Sequence, residues 1–243
     1  MKTRRVLGWT VAGYAAAWLG TGTAMLLLSE RARAGVHRVP APGVAKFARV
    51  DARVWRGAAP TAEGYRWLRA EGVRTIVDLR AEVPAPPART GDPPPDDAPD
   101  RRTAPSAGGA RAADAGGAGL RVVRIPVRDG QVPDPGQVRR FLDVVEDARR
   151  PVFVHCGAGV GRTGSMVAAY LVGTGRTYAA AATARSLAFG PPTLEQFAFM
   201  RGLDVPAARR PARAVVVFSR IADSPRRARA RLRDRRRGLP AGM

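Results

Sequence analysis

The 243-residue chain has few of the residues that build disulfide frameworks and transition-metal sites. It contains one cysteine, Cys156, and two histidines, His37 and His155, which lie far apart in the sequence. A single cysteine excludes an internal disulfide and a cysteine-rich zinc site. Two distant histidines argue against a transition-metal centre. We therefore expect neither a metal nor another cofactor.

Acidic and aromatic residues are also scarce. The chain has 20 Asp and Glu against 41 Lys and Arg, a formal net charge of +21, and only 6% of its residues are aromatic. The hydrophobic fraction of 45% is enough for the core of one ordinary domain with extensions. The charge favours anionic partners such as phosphorylated molecules, nucleic acid or acidic lipid. A codon bias toward arginine would produce the same composition.

The most informative stretch is residues 151–165, Pro-Val-Phe-Val-His-Cys-Gly-Ala-Gly-Val-Gly-Arg-Thr-Gly-Ser. A short apolar run ends at His155, and Cys156 then opens a glycine-rich loop that closes at Arg162. The residues after the loop return to helical spacing. The pattern predicts a strand, a tight loop and a helix, with a thiol at the start of the loop and a guanidinium at its end.

This arrangement suits a phosphate-sized dianion. A glycine-rich loop that leads into a helix directs backbone N–H groups at one point, and the helix dipole adds positive charge there. The same field stabilises a thiolate, so we expect Cys156 to ionise well below the pKa of about 8.5 of a free thiol. Arg162 can bind two phosphate oxygens at once. Thr163 can donate its hydroxyl to the thiolate, and His155 can orient the loop.

The motif His-Cys-x-x-Gly-x-x-Arg-Thr-Gly at residues 155–164 resembles the active-site loop of the protein tyrosine and dual-specificity phosphatases. The resemblance covers residues 50–82 and 120–203. The N-terminal half is similar to that of small dual-specificity phosphatases, especially a bacterial and fungal group. It implies a cysteine phosphatase with Cys156 as nucleophile and a phosphocysteine intermediate. The implied phosphate-binding residues are Gly157, Ala158, Gly159, Val160, Gly161 and Arg162, supported by His155 and Thr163.

In this family, an aspartic acid in a loop after a strand protonates the leaving oxygen. Asp129 matches the family pattern Ile-Pro-x-x-Asp and is therefore the candidate acid, which completes a predicted catalytic set with Cys156 and Arg162. Asp134 is the competing candidate. It precedes Pro135, however, and has the position of a helix N-cap.

Hydrophobic periodicity predicts the other elements of an α/β fold. The predicted strands cover residues 73–79 and 120–127. One predicted helix begins after Thr61, and the helix that follows the glycine-rich loop ends near 173–175. Three more predicted helices cover 137–149, 177–187 and 194–203. This order implies a mostly parallel sheet flanked by helices, of the dual-specificity-phosphatase type. The catalytic loop would then lie at the carboxyl end of a strand, where ligands bind in such sheets.

The composition divides the chain into residues 1–34, 36–205 with a Pro/Gly/Ala-rich insertion at 83–119, and 206–243. The first segment has an uncharged run, Val6–Ser29, long enough for a membrane-spanning helix. We expect a single-pass membrane anchor of undetermined side, and the alternative is a secreted protein cleaved near Ala32-Arg33-Ala34. The insertion predicts a disordered surface loop.

The final segment, 206–243, is a basic tail with twelve arginines and two aspartates. It is either solvated or in contact with acidic lipid headgroups, which would add to the membrane contact of the N-terminal helix. No aromatic residues alternate with these arginines for base stacking, which argues against nucleic acid as a partner.

The expected substrate is a phosphorylated protein or a small phosphate ester carrying phosphotyrosine or phosphoserine/threonine. The variable loop positions Gly157, Ala158, Val160 and Gly161 are neutral, whereas inositide phosphatases of the family typically carry a basic residue there. The alternatives are a phosphoinositide or inositol phosphate phosphatase, an RNA 5′-triphosphatase, a rhodanese-type sulfur carrier, and an inactive phosphate-binding module.

Overall fold

The computed structural model describes residues 2–33, 40–82, 115, 117–203 and 211–224. The strands are β1 (Ala48–Arg49), β2 (Val54–Ala58), β3 (Thr75–Arg80), β4 (Arg121–Val127) and β5 (Val152–Cys156). The helices are α1 (Lys2–Arg33), α2 (Ala62–Ala70), α3 (Pro135–Asp147), α4 (Gly161–Gly173), α5 (Ala179–Leu187), α6 (Leu194–Arg201) and α7 (Arg213–Ala222). The predicted strands and helices of residues 61–203 therefore form, with shifts of a few residues at their ends.

The strands form one sheet in the order β1-β2-β5-β3-β4. Only β1 pairs antiparallel, with β2, and the other neighbours are parallel. The mostly parallel α/β sheet is therefore confirmed. Strand β5 lies at its centre and is buried on both faces, which explains why its sequence is apolar without alternation.

Helices cover both faces of the sheet. On one face the core includes Phe141 from α3, Met166 and Tyr170 from α4, and Phe199 from α6. On the other face, α2 packs against an aromatic group around Phe47, which contacts Trp55 edge to face with ring centroids 5.7 Å apart. Burial on both sides fixes β5, and thus the residues at its carboxyl end.

Side-chain N-caps are present at the starts of α2, α3 and α6 and absent at the start of α4. Thr61 accepts the N–H of Gly64 at the start of α2, at 3.2 Å. Asp134 and Thr193 form capping boxes at the starts of α3 and α6. Helix α4 begins after Val160 with no side-chain cap. The N-cap residue of α4 therefore provides no side-chain acceptor for the first-turn N–H groups.

Helix α1 has 32 residues. It packs beside α5, where the Ser29 hydroxyl donates to the Leu187 carbonyl at 2.7 Å. Across the described ranges, no helix has a segment both long and apolar enough to cross a membrane. The membrane-spanning helix predicted in residues 1–34 is therefore not supported.

The predicted insertion and basic tail lie mostly outside the described residues, as does residue 34 of the candidate cleavage site. At the end of the insertion, Ala115 is buried, and its carbonyl accepts the N–H of Leu120 at 3.0 Å. Within the predicted tail, α7 packs on α6. The Ser219 hydroxyl there accepts the N–H of Glu195 at 3.0 Å.

Candidate active site

The stretch predicted to carry the chemistry folds into a strand, a loop and a helix. Cys156 is the last residue of β5 and is 3% exposed. Residues 156–162, called the glycine loop below, connect β5 to the first turn of α4. The loop lies at the carboxyl edge of the parallel sheet, where α/β proteins bind their ligands.

Contacts from outside the glycine loop hold three of its carbonyl groups. In a trans peptide the N–H points opposite to the C=O. Carbonyls held outward therefore direct the N–H groups of the following residues toward the concave side of the loop. The three contacts are His155 Nδ1 to Cys156 O at 3.3 Å, Ala59 N–H to Gly157 O at 3.2 Å, and Arg56 Nη2 to Gly159 O at 2.9 Å.

Gly159 is required in the loop by space as well as by backbone angle, and Gly161 leaves room for a neighbouring side chain. Gly159 has φ +67°, and a Cβ there would lie 2.5 Å from the backbone of Gly57 and Ala58. A Cβ on Gly161 would overlap the side-chain amide of Gln196. The loop thus packs directly on β2 and α6, which makes its curvature a property of the fold.

The environment of Cys156 favours the thiolate. Burial alone would raise the pKa of the thiol, but the positive charge of Arg162 opposes it, together with hydrogen bonds from Thr163 and from the N–H of Gly159. The net effect lowers the pKa of Cys156 below its ordinary value. Thr163 is fully buried, and its hydroxyl has no partner other than the thiol among the described residues.

His155 supports the loop as a neutral side chain. It is fully buried, and burial lowers the pKa of its imidazole to about 4. Because the Cys156 carbonyl can only accept, Nδ1 carries the proton in this contact. His155 therefore orients the glycine loop without adding charge beside the thiolate near neutral pH.

Arg162 is 5% exposed and is held by an acidic partner that follows β3 by two residues. Its Nη1 and Nη2 bind the two carboxylate oxygens of Glu82 at 2.7 and 2.9 Å, and Nη1 also donates to Val127 O at 3.2 Å. These contacts use the outer edge of the guanidinium. The free edge of the guanidinium contains Nε, which none of these contacts among the described residues uses, and it can bind a ligand in the loop.

Glu82 in turn stays ionised. Burial would raise its pKa, but the hydrogen bonds and charge of Arg162 outweigh that effect and lower it. Two residues before it, β3 ends in a buried ion pair between Asp78 and Arg80, with Nη2 2.7 Å from the carboxylate. This pair fixes the end of the strand from which Glu82 reaches Arg162.

Asp129 and Asp134 have different positions. Asp129 is 67% exposed, and its carboxylate lies 3.2 Å from Arg162 Nη2. Asp134 is the N-cap of α3, where Oδ1 accepts the N–H of Gln137 at 2.8 Å. The structure therefore brings Asp129, and not Asp134, to the glycine loop.

Residues 35–202 match the family described as the DSP-PTPase phosphatase fused to NAD+ kinase. The chain belongs to this family. It is 32% identical over 125 residues to the probable NAD kinase 2, chloroplastic, of Oryza sativa subsp. japonica, which covers 49% of this chain and 10% of that relative. It is 48% identical over 44 residues to the dual specificity protein phosphatase CDC14C of Homo sapiens, covering 18% and 10% respectively.

The chain spans about a tenth of the length of these curated relatives. Among solved structures, TpbA of P. aeruginosa in complex with pTyr aligns with a TM-score of 0.48 and 23% identity, covering 69% of this chain and 94% of TpbA.

Two residues of this phosphatase domain were not singled out from the sequence. Glu82 stood at the border of the proline-rich insertion, and its contact with Arg162 depends on β3 lying next to β5. Arg56 is a charged residue within a strand whose five residues are all buried. That burial is the signal that marks Arg56 as unusual, because arginine is rarely buried without a partner.

Proposed function

We propose that this member of the DSP-PTPase family is a cysteine-dependent phosphatase that hydrolyses phosphate monoesters through a phosphocysteine intermediate. The observation that carries the proposal is the shared position of three groups at the glycine loop. Cys156 begins the loop with a lowered thiol pKa, Arg162 ends it, and the Asp129 carboxylate lies 3.2 Å from Arg162 Nη2.

In the first proposed step, the thiolate of Cys156 attacks phosphorus. The S–P bond forms while the P–O bond to the leaving group breaks, and Asp129 donates its proton to the leaving oxygen. The N–H groups of the glycine loop and the free edge of Arg162 bind the other phosphate oxygens, where negative charge develops. The chemistry requires no group beyond these side chains and the backbone.

In the second step, a water molecule attacks the phosphocysteine. Asp129, now ionised, takes a proton from this water, the S–P bond breaks, and the electron pair returns to Cys156 as thiolate. Inorganic phosphate leaves, and the site regains its starting protonation state. One carboxyl group thus acts first as acid and then as base.

The proposed substrates are phosphotyrosine or phosphoserine/threonine monoesters. Two features support this choice over inositides. The variable positions of the glycine loop, Gly157, Ala158, Val160 and Gly161, carry no charge that would select a second phosphate. Several relatives that share the short stretch of high identity are dual specificity protein phosphatases by name.

The proposal is tested by hydrolysis of p-nitrophenyl phosphate by the full chain in the presence of a metal chelator. We expect turnover by the parent, none by Cys156→Ser, and a large loss in Asp129→Ala. Asp134→Ala is the matched control, because that aspartate is a helix cap. A folded parent protein that binds phosphate without turning over this ester, phosphotyrosyl or phosphoseryl peptides would contradict the proposal and favour a phosphate-binding module. Preferential hydrolysis of a phosphoinositide would overturn the substrate class alone.

A further inference from the structure

We infer that Arg56 is a buried positioning residue of this site, which holds the glycine loop in its binding conformation and provides a second positive charge for the Cys156 thiolate. This inference rests on the proposed function for its catalytic consequence. Its structural and electrostatic parts concern the loop and the thiol themselves, and they can be measured without turnover.

Arg56 lies in β2, the strand beside β5, and its side chain runs beneath the glycine loop. It is 2% exposed. Its Nη2 donates to Gly159 O at 2.9 Å, and its guanidinium carbon lies 4.0 Å from the centre of the Phe189 ring. Gly164 of α4 lies beside the guanidinium, since a Cβ built on it would come 3.9 Å from Nη2.

The charge of Arg56 has no conventional counterion. Among the described residues no carboxylate lies within ion-pair distance of it, and its Nε is buried without a hydrogen-bond partner there. A buried charge is costly unless an opposite charge or strong hydrogen bonds compensate it. The anions that can compensate the charge of Arg56 are the Cys156 thiolate and a dianion bound in the loop.

Arg56 remains a cation despite this environment. Burial lowers the pKa of its guanidinium to about 10, and the negative charge of Cys156 acts in the opposite direction. The side chain is therefore protonated near neutral pH. Of the other groups near the thiol, His155 is neutral and Arg162 is the cation that lowers the pKa of Cys156. Arg56, whose charge is coupled to Cys156, adds to this positive environment.

The hydrogen bond to Gly159 O has a geometric consequence. Because the peptide is trans, holding this carbonyl outward turns the N–H of Val160 toward the concave side of the loop. Gly159 has φ +67°, a conformation that glycine adopts without the strain a side chain would add. Arg56 thus orders a phosphate-binding N–H without touching the phosphate.

The test compares Arg56→Gln, Arg56→Lys and the control Arg53→Gln in the full chain. Arg53 donates to the carbonyls of Val145, Glu146 and Ala148 near the end of α3, so its loss removes an arginine–carbonyl contact elsewhere. The readout is the rate of iodoacetamide alkylation of Cys156 against pH, with circular dichroism to confirm folding. Affinity for inorganic phosphate is measured in parallel.

We expect Arg56→Gln to move the alkylation profile to higher pH and to slow alkylation at pH 6 by about fivefold, because an adjacent cation favours the thiolate. Arg56→Lys keeps the charge but not the planar fork, so it should retain the alkylation profile within about twofold and bind phosphate more weakly. Arg53→Gln should alter neither readout.

A folded Arg56→Gln protein with the parent alkylation profile and phosphate affinity would overturn the inference. If Arg56→Gln does not fold, Arg56→Lys decides: alkylation at the parent rate with weakened phosphate binding supports the inference, and any other combination overturns it. A parent that hydrolyses no ester but shows these shifts would contradict the proposed function while leaving the role of Arg56 intact.

Discussion

Glu82 makes a bidentate contact with Arg162, and the direction in which activity changes when this contact is lost distinguishes two roles of Glu82. Glu82 occupies the Nη1–Nη2 edge of the guanidinium, and the edge containing Nε is left for phosphate. If Glu82 positions Arg162, its loss should lower activity. If it competes with the substrate for Arg162, its loss should raise activity. The geometry favours positioning, so we expect Glu82→Gln to lower kcat/KM.

The magnitude follows from the contact and its exposure. A hydrogen bond to a charged group contributes about 1.5–3 kcal/mol when it is protected from water. The Glu82 side chain is 40% exposed, and screening reduces the expected contribution to about 1 kcal/mol. Glutamine preserves the shape but places an amide N–H₂ against a donor of Arg162. We therefore expect a loss of about fivefold in kcat/KM, with kcat affected at least as much as KM.

The assay is steady-state hydrolysis of p-nitrophenyl phosphate near neutral pH, with Glu71→Gln as the control. Glu71 pairs with Arg49 at 2.8 Å on the surface, away from the glycine loop. The control should keep the parent kcat/KM. Activity of Glu82→Gln equal to or above the parent value, in a protein of unchanged thermal stability, would refute the positioning role.

Three further predictions concern the acid, the loop and the thiol. Asp129→Ala should lower kcat by about 10²-fold or more. Asp134→Ala should lower the free energy of unfolding by about 1 kcal/mol and leave kcat unchanged. A loss of kcat in Asp134→Ala and a loss of stability alone in Asp129→Ala would exchange the roles of the two aspartates. Gly159→Ala should abolish phosphate binding, measured by calorimetry, because the new Cβ would meet the backbone of Gly57; retained affinity would contradict the loop geometry. Because the pKa of Cys156 is lowered, its thiolate should persist below the pH at which free thiols protonate, so iodoacetamide should still inactivate the enzyme rapidly at pH 7; an inactivation profile matching free cysteine would be inconsistent with this environment.

The central part of the site could be predicted from the sequence because its signals are local. The strand, the glycines and Arg162 all lie within residues 151–165, and the N-caps Thr61 and Asp134 lie next to their helices. Local sequence also separated Asp129 from Asp134, since a residue before Pro135 at a helix start already has a structural role.

The parts that were missed depend on long-range neighbours. The contact of Glu82 with Arg162 spans 80 positions in the sequence, and the contact of Arg56 with Gly159 spans 103. Both follow from the strand order β2-β5-β3, which single-sequence periodicity does not provide. The membrane-spanning prediction relied on the absence of charge in the N-terminal run, and no helix of the described residues meets the length and apolarity that a membrane span requires.

The most direct test of a phosphocysteine mechanism is to trap the intermediate. Asp129→Ala is mixed with p-nitrophenyl phosphate and quenched in acid during the first turnover, and the peptides are examined by mass spectrometry. A variant that lacks the base of the second step should accumulate the intermediate, so we expect one added phosphoryl group on the peptide containing Cys156. Release of p-nitrophenol without label on this peptide, or label on another residue, would contradict the assignment of Cys156 as nucleophile.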